Sequence, residues 1–165
     1  PGANDNASGN GMIFSIAQEL LKNPIDNYNV VFIAFAGEEI GLLGSKYFVE
    51  HPLVPLKKIR FMLNMDIMGS GEDGITCVNS TLFKNEFDRL LQLNGYGKWL
   101  SLIKPRGPAA NSDHHFFTEA GVPAFFIYTM GPNKNYHDIY DTYAALSFAK
   151  FNEIQQLMLE FIRGF

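Results

Sequence analysis

Cysteine is almost missing: Cys77 is the only one in 165 residues. That excludes an internal disulfide and any zinc site built from several thiolates, so a metal site here would draw on His, Asp and Glu. Basic residues never run beyond the pair Lys57-Lys58, and the formal net charge is -4. A nucleic-acid platform needs a concentrated positive surface, so nucleic acid is excluded as a partner. No apolar stretch is long enough to span a membrane. Charged residues are sparse, at 18%. Apolar ones take their place, 47% of the chain with 15 Phe, the composition of a chain with a substantial core. The length suits a single domain covering residues 1–165. The opening residues are Pro1-Gly2 instead of Met and a secretory segment, which reads as the C-terminal portion of a larger domain.

The apolar pattern divides the chain into alternating strands and helices. Met12, Ile13, Ile16, Ala17, Leu20 and Leu21 recur at the spacing of one helix face, with a cap expected at Ser8 and an end at Asn23-Pro24. Residues 29–37 are continuously apolar without helical gaps, which predicts a strand buried on both faces. A short helix is expected over 44–50, a second buried strand over 59–66, a short strand over 75–78 and a helix reaching Asn94-Gly95. Residues 96–111 read as irregular. Ser112-Asp113 reads as the cap of a short helix to Ala120, 123–128 as another buried strand, and 146–165 as a closing helix. The alternation implies an α/β fold, a three-layer sandwich whose mostly parallel central sheet has helices on both faces. Sites in such sheets form beyond the carboxyl ends of the strands.

Acids stand where that rule places chemistry. Gly37-Glu38-Glu39 sets adjacent carboxylates after a stretch too apolar to solvate them. Side chains diverge at a strand end, so one carboxylate can hold a cation while its neighbour faces the water that cation polarises. Glu39 is then the ligand and Glu38 the general base. Taken alone, a Glu-Glu pair is more often an exposed acidic turn. Asp66 closes an apolar strand with only Asn64 as polar company, although an Asp capping the loop at Gly69-Ser70 would look the same. Asp5 precedes a helix, where a plain turn is the common use of Asp. His137 follows the last strand, with Asp138 and Asp141 available to accept its second ring N–H. Carboxylates and a histidine from separate loops at one sheet edge make four independent accidents a poor account.

These segments resemble the co-catalytic dizinc aminopeptidases, metallopeptidase family 28. The likeness runs from Asp5 to the closing helix through Asn4 to Gly9, the stretch Gly37-Glu38-Glu39-Ile40-Gly41-Leu42-Leu43-Gly44-Ser45, Asn64-Met65-Asp66-Ile67-Met68-Gly69, Ser112-Asp113-His114-His115-Phe116-Phe117, and His137 with Asp141-Thr142. The resemblance implies zinc held by Asp5, Glu39, Asp66 and His137, two ions in a complete site, with Asp5 bridging them. It also implies Glu38 as base, Tyr136 as oxyanion support, Asp113 at the substrate, Asp141 behind the ligands, and peptides as substrates. Residues 96–111 with Phe116, Phe117 and Tyr128 are expected, from their place over the strand ends, to wall the first substrate pocket, although aromatics beside a strand are more often core. Relatives are often exported, which favours a periplasmic or secreted location. A His-x-Asp motif that gives the family's second metal its histidine has no counterpart here; neither His51 nor His114 replaces it, so one ion is expected to bind weakly. Alternatives are glutaminyl cyclase, which shares the fold and uses a single zinc but carries Trp where Tyr136 stands; a non-catalytic module of the same fold; and a carboxypeptidase, for which Arg106 is the only Arg near a motif.

Overall fold

The computed structural model describes residues 1–95 and 97–165, so of the irregular stretch 96–111 Tyr96 lies outside the described residues. In chain order come α1 (Gly9–Lys22), α2 (Leu43–Glu50), β1 (Met62–Asp66), β2 (Gly74–Val78), α3 (Lys84–Asn94), β3 (Ile103–Pro105), α4 (His114–Glu119), β4 (Ala124–Met130) and α5 (Phe151–Arg163). The strands form one sheet in the order β1-β4-β2-β3. β1 runs parallel to β4, with Asp66 beside Tyr128, and β2 runs parallel to β3, while β2 and β4 are antiparallel.

Helices cover both faces. On one side α1, α3 and α5 pack together: Met12 and Ile16 of α1, Leu90 of α3, and Ile154, Leu157, Met158 and Phe161 of α5 are buried against Ile75, Phe125 and Ile127 of the sheet. Their spacing of three and four residues along each helix sets that face. On the other side α2 and α4 meet through Phe48 and Phe117, whose rings lie 5.5 Å apart, over Ala124 and Met62. Among the described residues no helix is long and apolar enough to cross a membrane.

Four expectations need correction. Residues 29–37 form no strand, and Val31, Phe32 and Ile33 are exposed. Apolarity signals burial, but a strand also needs a neighbour for its backbone. Here Ile33, Ala34 and Phe35 face Met62, Leu63 and Asn64 across a cleft instead of a ladder. The segment is held at its end, where Phe35 packs on Phe48 and Phe117, each at 5.9 Å. Ser8 does not cap α1; its hydroxyl donates to the Asn4 carbonyl at 2.6 Å and accepts from the Met68 N–H at 2.7 Å. The irregular stretch contains β3. The last helix begins at Phe151, because Phe148 (φ 51) and Lys150 (φ 64) lie in the left-handed region and cannot continue a helix.

Candidate metal centre

Asp5 sits in a turn over Ala3–Ser8 that is helical except at Asp5 and Asn6, and the Asp5-Asn6 peptide is cis. Such a turn leaves backbone N–H groups needing acceptors. Asp141, 2% exposed, supplies them: its Oδ1 accepts from the Asn4 N–H at 2.8 Å and its Oδ2 from the Asp5 N–H at 3.0 Å. The Asn4 side chain in turn accepts from the Gly69 N–H at 2.8 Å, and Asn6 Oδ1 accepts from Gly9 N–H at 2.9 Å. Gly9 lies so close to β1 that a Cβ there would stand 2.6 Å from the Met65 carbonyl oxygen. Asp5 is therefore pinned to the end of β1 from several sides.

The carboxylates of Glu38 and Glu39 leave a tight turn after residue 36. The Glu38 carbonyl accepts from the N–H groups of Gly41 and Leu42, and Gly37 (φ 69) and Leu42 (φ 57) make the reversal through left-handed backbone. His137 (φ 51) arrives on the loop after β4. Its Nε2 stands 3.2 Å from Asp5 Oδ2 and 3.0 Å from Glu39 Oε2. One donor atom from each of Asp5, Glu39 and His137 falls within 4.8 Å of the others. Zinc with ligands at about 2.0–2.2 Å in tetrahedral geometry places its donors about 3.3 Å apart, so this set fits one ion.

Behind these donors a cleft of about 200 Å³ is lined by Asp5, Glu38, Glu39, Asn64, Asp66 and Asp113 among others. Burial, with the neighbouring Glu39 next in weight, pushes the Glu38 carboxyl up to about 7. Asp66 is likewise pushed up to about 7, by burial and then by Asp5. Burial raises Asp5 and Asp113 as well. Asp66 Oδ1 and Asp113 Oδ1 are buried without a hydrogen-bond partner. Buried carboxylates without a counter-charge are costly, so a cleft built this way suits cations.

Of the residues singled out from sequence, Asp5, Glu39 and His137 converge. Glu38 and Asp66 line the same cleft but stand outside that donor set. Tyr136 stacks on the His137 ring, centroids 3.9 Å apart and planes at 17°, with burial and then Asp5 raising its phenol. Phe116 lies beside His115 on α4 and does not line the cleft, and Phe117 belongs to the core. Asp113 does not cap α4, whose N-terminus has no side-chain capping bond. Asp141 acts differently from expectation, because both its oxygens are taken by backbone N–H groups of Asn4 and Asp5, not by the His137 ring. His51 and fully buried His114 line no part of the cleft. Asn4 and Asn6 had no role assigned from sequence and Ser8 only that of a helix cap, although all three lie in the stretch that carried the resemblance.

Residues 1–162 match Peptidase family M28. The chain is 42% identical over 134 residues to Aminopeptidase YwaD of Bacillus subtilis, a match covering 74% of this chain and 27% of that protein. It superposes on the crystal structure of BSAP, a zinc aminopeptidase from Bacillus subtilis, with a TM-score of 0.84 and 25% identity, covering 99% of this chain and 42% of that one. A glutaminyl cyclase from Bacteroides thetaiotaomicron shares the fold, with a TM-score of 0.78 at 21% identity over 99% of this chain and 63% of that one. The chain spans less than half the length of curated relatives such as these aminopeptidases.

Proposed function

Because this chain belongs to peptidase family M28, we propose that the protein it forms removes unblocked N-terminal residues from peptides at the centre built by Asp5, Glu39 and His137. The observation that carries the reading is the convergence of those three donors beside a cleft that Glu38 and Asp66 also line. Zinc, when bound there, supplies Lewis-acid polarisation of the scissile carbonyl and acidifies coordinated water. Glu38, which lines the same cleft, takes the proton of the attacking water and returns it to the departing amine. The Tyr136 phenol, kept protonated by its surroundings, donates to the oxygen on which charge develops. Asp66 offers a carboxylate to a second cation.

The paired substitutions Glu38→Gln and Glu39→Gln test this. Glu38→Gln keeps the shape but cannot accept a proton, so bound zinc should persist while turnover on aminoacyl substrates falls at least about a hundred-fold. Glu39→Gln replaces a charged ligand with a neutral one, so zinc affinity should drop and activity should partly return at high zinc. If Glu38→Gln strips the metal while Glu39→Gln retains it, base and ligand are exchanged. Cyclisation of N-terminal Gln without any aminopeptide cleavage would assign the protein to the cyclases.

A further inference from the structure

Charge is unevenly spread across the sheet beside the metal centre. Asp66 of β1 lies in register with Tyr128 of β4, Tyr128 with Thr76 of β2, and Thr76 with Lys104 of β3. Residues in register share a face, so a row crosses the sheet from an acid of the cleft to a lysine, at about 5 Å per strand. Arg106, just past β3, reaches back along that row: its Nη1 donates to the Tyr128 hydroxyl at 3.0 Å. Its backbone is anchored, with the N–H donating to the Cys77 carbonyl at 3.0 Å and the carbonyl accepting from the Ser80 hydroxyl at 3.0 Å. Arg106 and Lys104 are both exposed, and neither forms an ion pair among the described residues. The single bond to Tyr128 leaves most of the guanidinium's donors free. The rim beyond Tyr128 is thus cationic, while the cleft on the near side is lined by Asp5, Glu38, Glu39, Asp66 and Asp113.

We infer that Arg106, with Lys104 behind it, receives a carboxylate of the substrate one or two residues beyond the scissile bond, and so sets how well peptides carrying that charge are cleaved. The inference rests on the aminopeptidase reading. An extended peptide advances about 3.3–3.6 Å per residue, so one or two residues cover the step from Asp66 to the strand whose Tyr128 holds Arg106. A substrate carboxylate nearing the acids of the cleft is repelled, and a cation at the rim offsets that repulsion. Arg suits the task, because its planar fork meets a carboxylate with two parallel bonds. The peptide's own C-terminus and an acidic side chain present the same planar anion.

The test measures cleavage of three peptides by the zinc-loaded protein at low and at high salt: Leu-Ala-Ala, its C-terminal amide, and Leu-Ala-Glu amide, whose only carboxylate is on a side chain. In the wild type at low salt at least one carboxylate-bearing peptide should exceed Leu-Ala-Ala amide in kcat/KM by about three- to ten-fold, mainly through KM, and high salt should shrink the margin, as for an exposed ion pair. Arg106→Gln should bring the ratio of that peptide to the amide below about two, whereas Arg106→Lys, a point charge without the fork, should hold an intermediate ratio. The Arg106 side chain is exposed and bonds only to Tyr128, so both variants should fold. A gain for Leu-Ala-Glu amide that Arg106→Gln removes assigns the site to acidic side chains, and a gain confined to Leu-Ala-Ala assigns it to the peptide's C-terminus. Equal kcat/KM for all three in the wild type, or a margin that survives Arg106→Gln, overturns the inference and leaves the aminopeptidase reading standing, because the amide is still cleaved. Cleavage of none of the three overturns that reading and this inference with it.

Discussion

Asp141→Asn separates a carboxylate that merely neighbours the metal centre from one that builds it. The side chain is almost wholly buried and accepts two backbone N–H bonds, from Asn4 at 2.8 Å and Asp5 at 3.0 Å. Hydrogen bonds to a charged acceptor contribute about 1.5–3 kcal/mol each, and a buried donor left unpaired costs about 1–3 kcal/mol. An asparagine keeps one accepting oxygen but turns its NH2 toward the other N–H, so one bond is lost and one donor is stranded. The expected loss is about 2–4 kcal/mol, or a melting temperature lower by roughly 5–15 °C for a domain of this size. Since the displaced turn carries Asp5, zinc affinity should fall about ten- to hundred-fold. Denaturant melts and zinc titration against a competing chelator measure both. Asp138→Asn is the control: exposed Asp138 accepts only locally, from the Tyr140 N–H at 2.8 Å, so it should shift stability by less than about 1 kcal/mol and leave zinc affinity unchanged. If Asp141→Asn matches the wild type in both measurements, or Asp138→Asn reproduces the zinc defect, then the fixing of Asp5 through its backbone is wrong.

Further expectations concern pH and packing. Asp66 is raised from 3.8 to about 7 by burial and then Asp5, so the folded state keeps a proton that the unfolded chain releases between those values. Its contribution is fully present below about 4 and is lost as pH rises through about 7, a decline of at most about 4 kcal/mol in metal-free protein. Urea melts at pH 5 and pH 8 should show it, Asp66→Asn should reduce it but not abolish it because Glu38 is raised as well, and a flat wild-type profile contradicts the burial. Gly9→Ala and Gly11→Ala, both in α1, should move stability in opposite directions. A Cβ at Gly9 meets the Met65 carbonyl at 2.6 Å, whereas one at Gly11 meets nothing within 4 Å. Thermal melts should show the first destabilised by about 2 kcal/mol or more and the second stabilised by about 0.5–1 kcal/mol; equal effects refute the tight seating of α1 on β1.

What sequence conveys here divides along physical lines. β1 and β4 were legible because continuous apolar runs suit strands covered by helices on both faces, and α1 and α3 because apolar residues recur at helical spacing. The same signal misled at residues 29–37, where apolarity carries no information about which neighbour supplies the ladder. β3 left no trace: its three residues include exposed Lys104 and Pro105, too short for any period. The start of α5 was hidden because left-handed backbone at Phe148 and Lys150 has no pattern in residue type. In the site, acids following apolar runs raised a solvation problem, but only their grouping with Asp5 and His137 at one sheet edge set them apart from exposed turns. Asp141's partners could not, since it meets Asp5 across 136 positions and through a backbone N–H that every residue but proline carries.

Zinc K-edge absorption of the zinc-titrated protein, read beside His137→Ala, tests the metal centre most directly. The account expects light-atom donors only at about 2.0–2.2 Å, including one imidazole nitrogen, and expects the imidazole scattering to vanish in His137→Ala together with most of the affinity. A sulfur shell, or an imidazole signal that persists in the variant, would place the zinc elsewhere and contradict it.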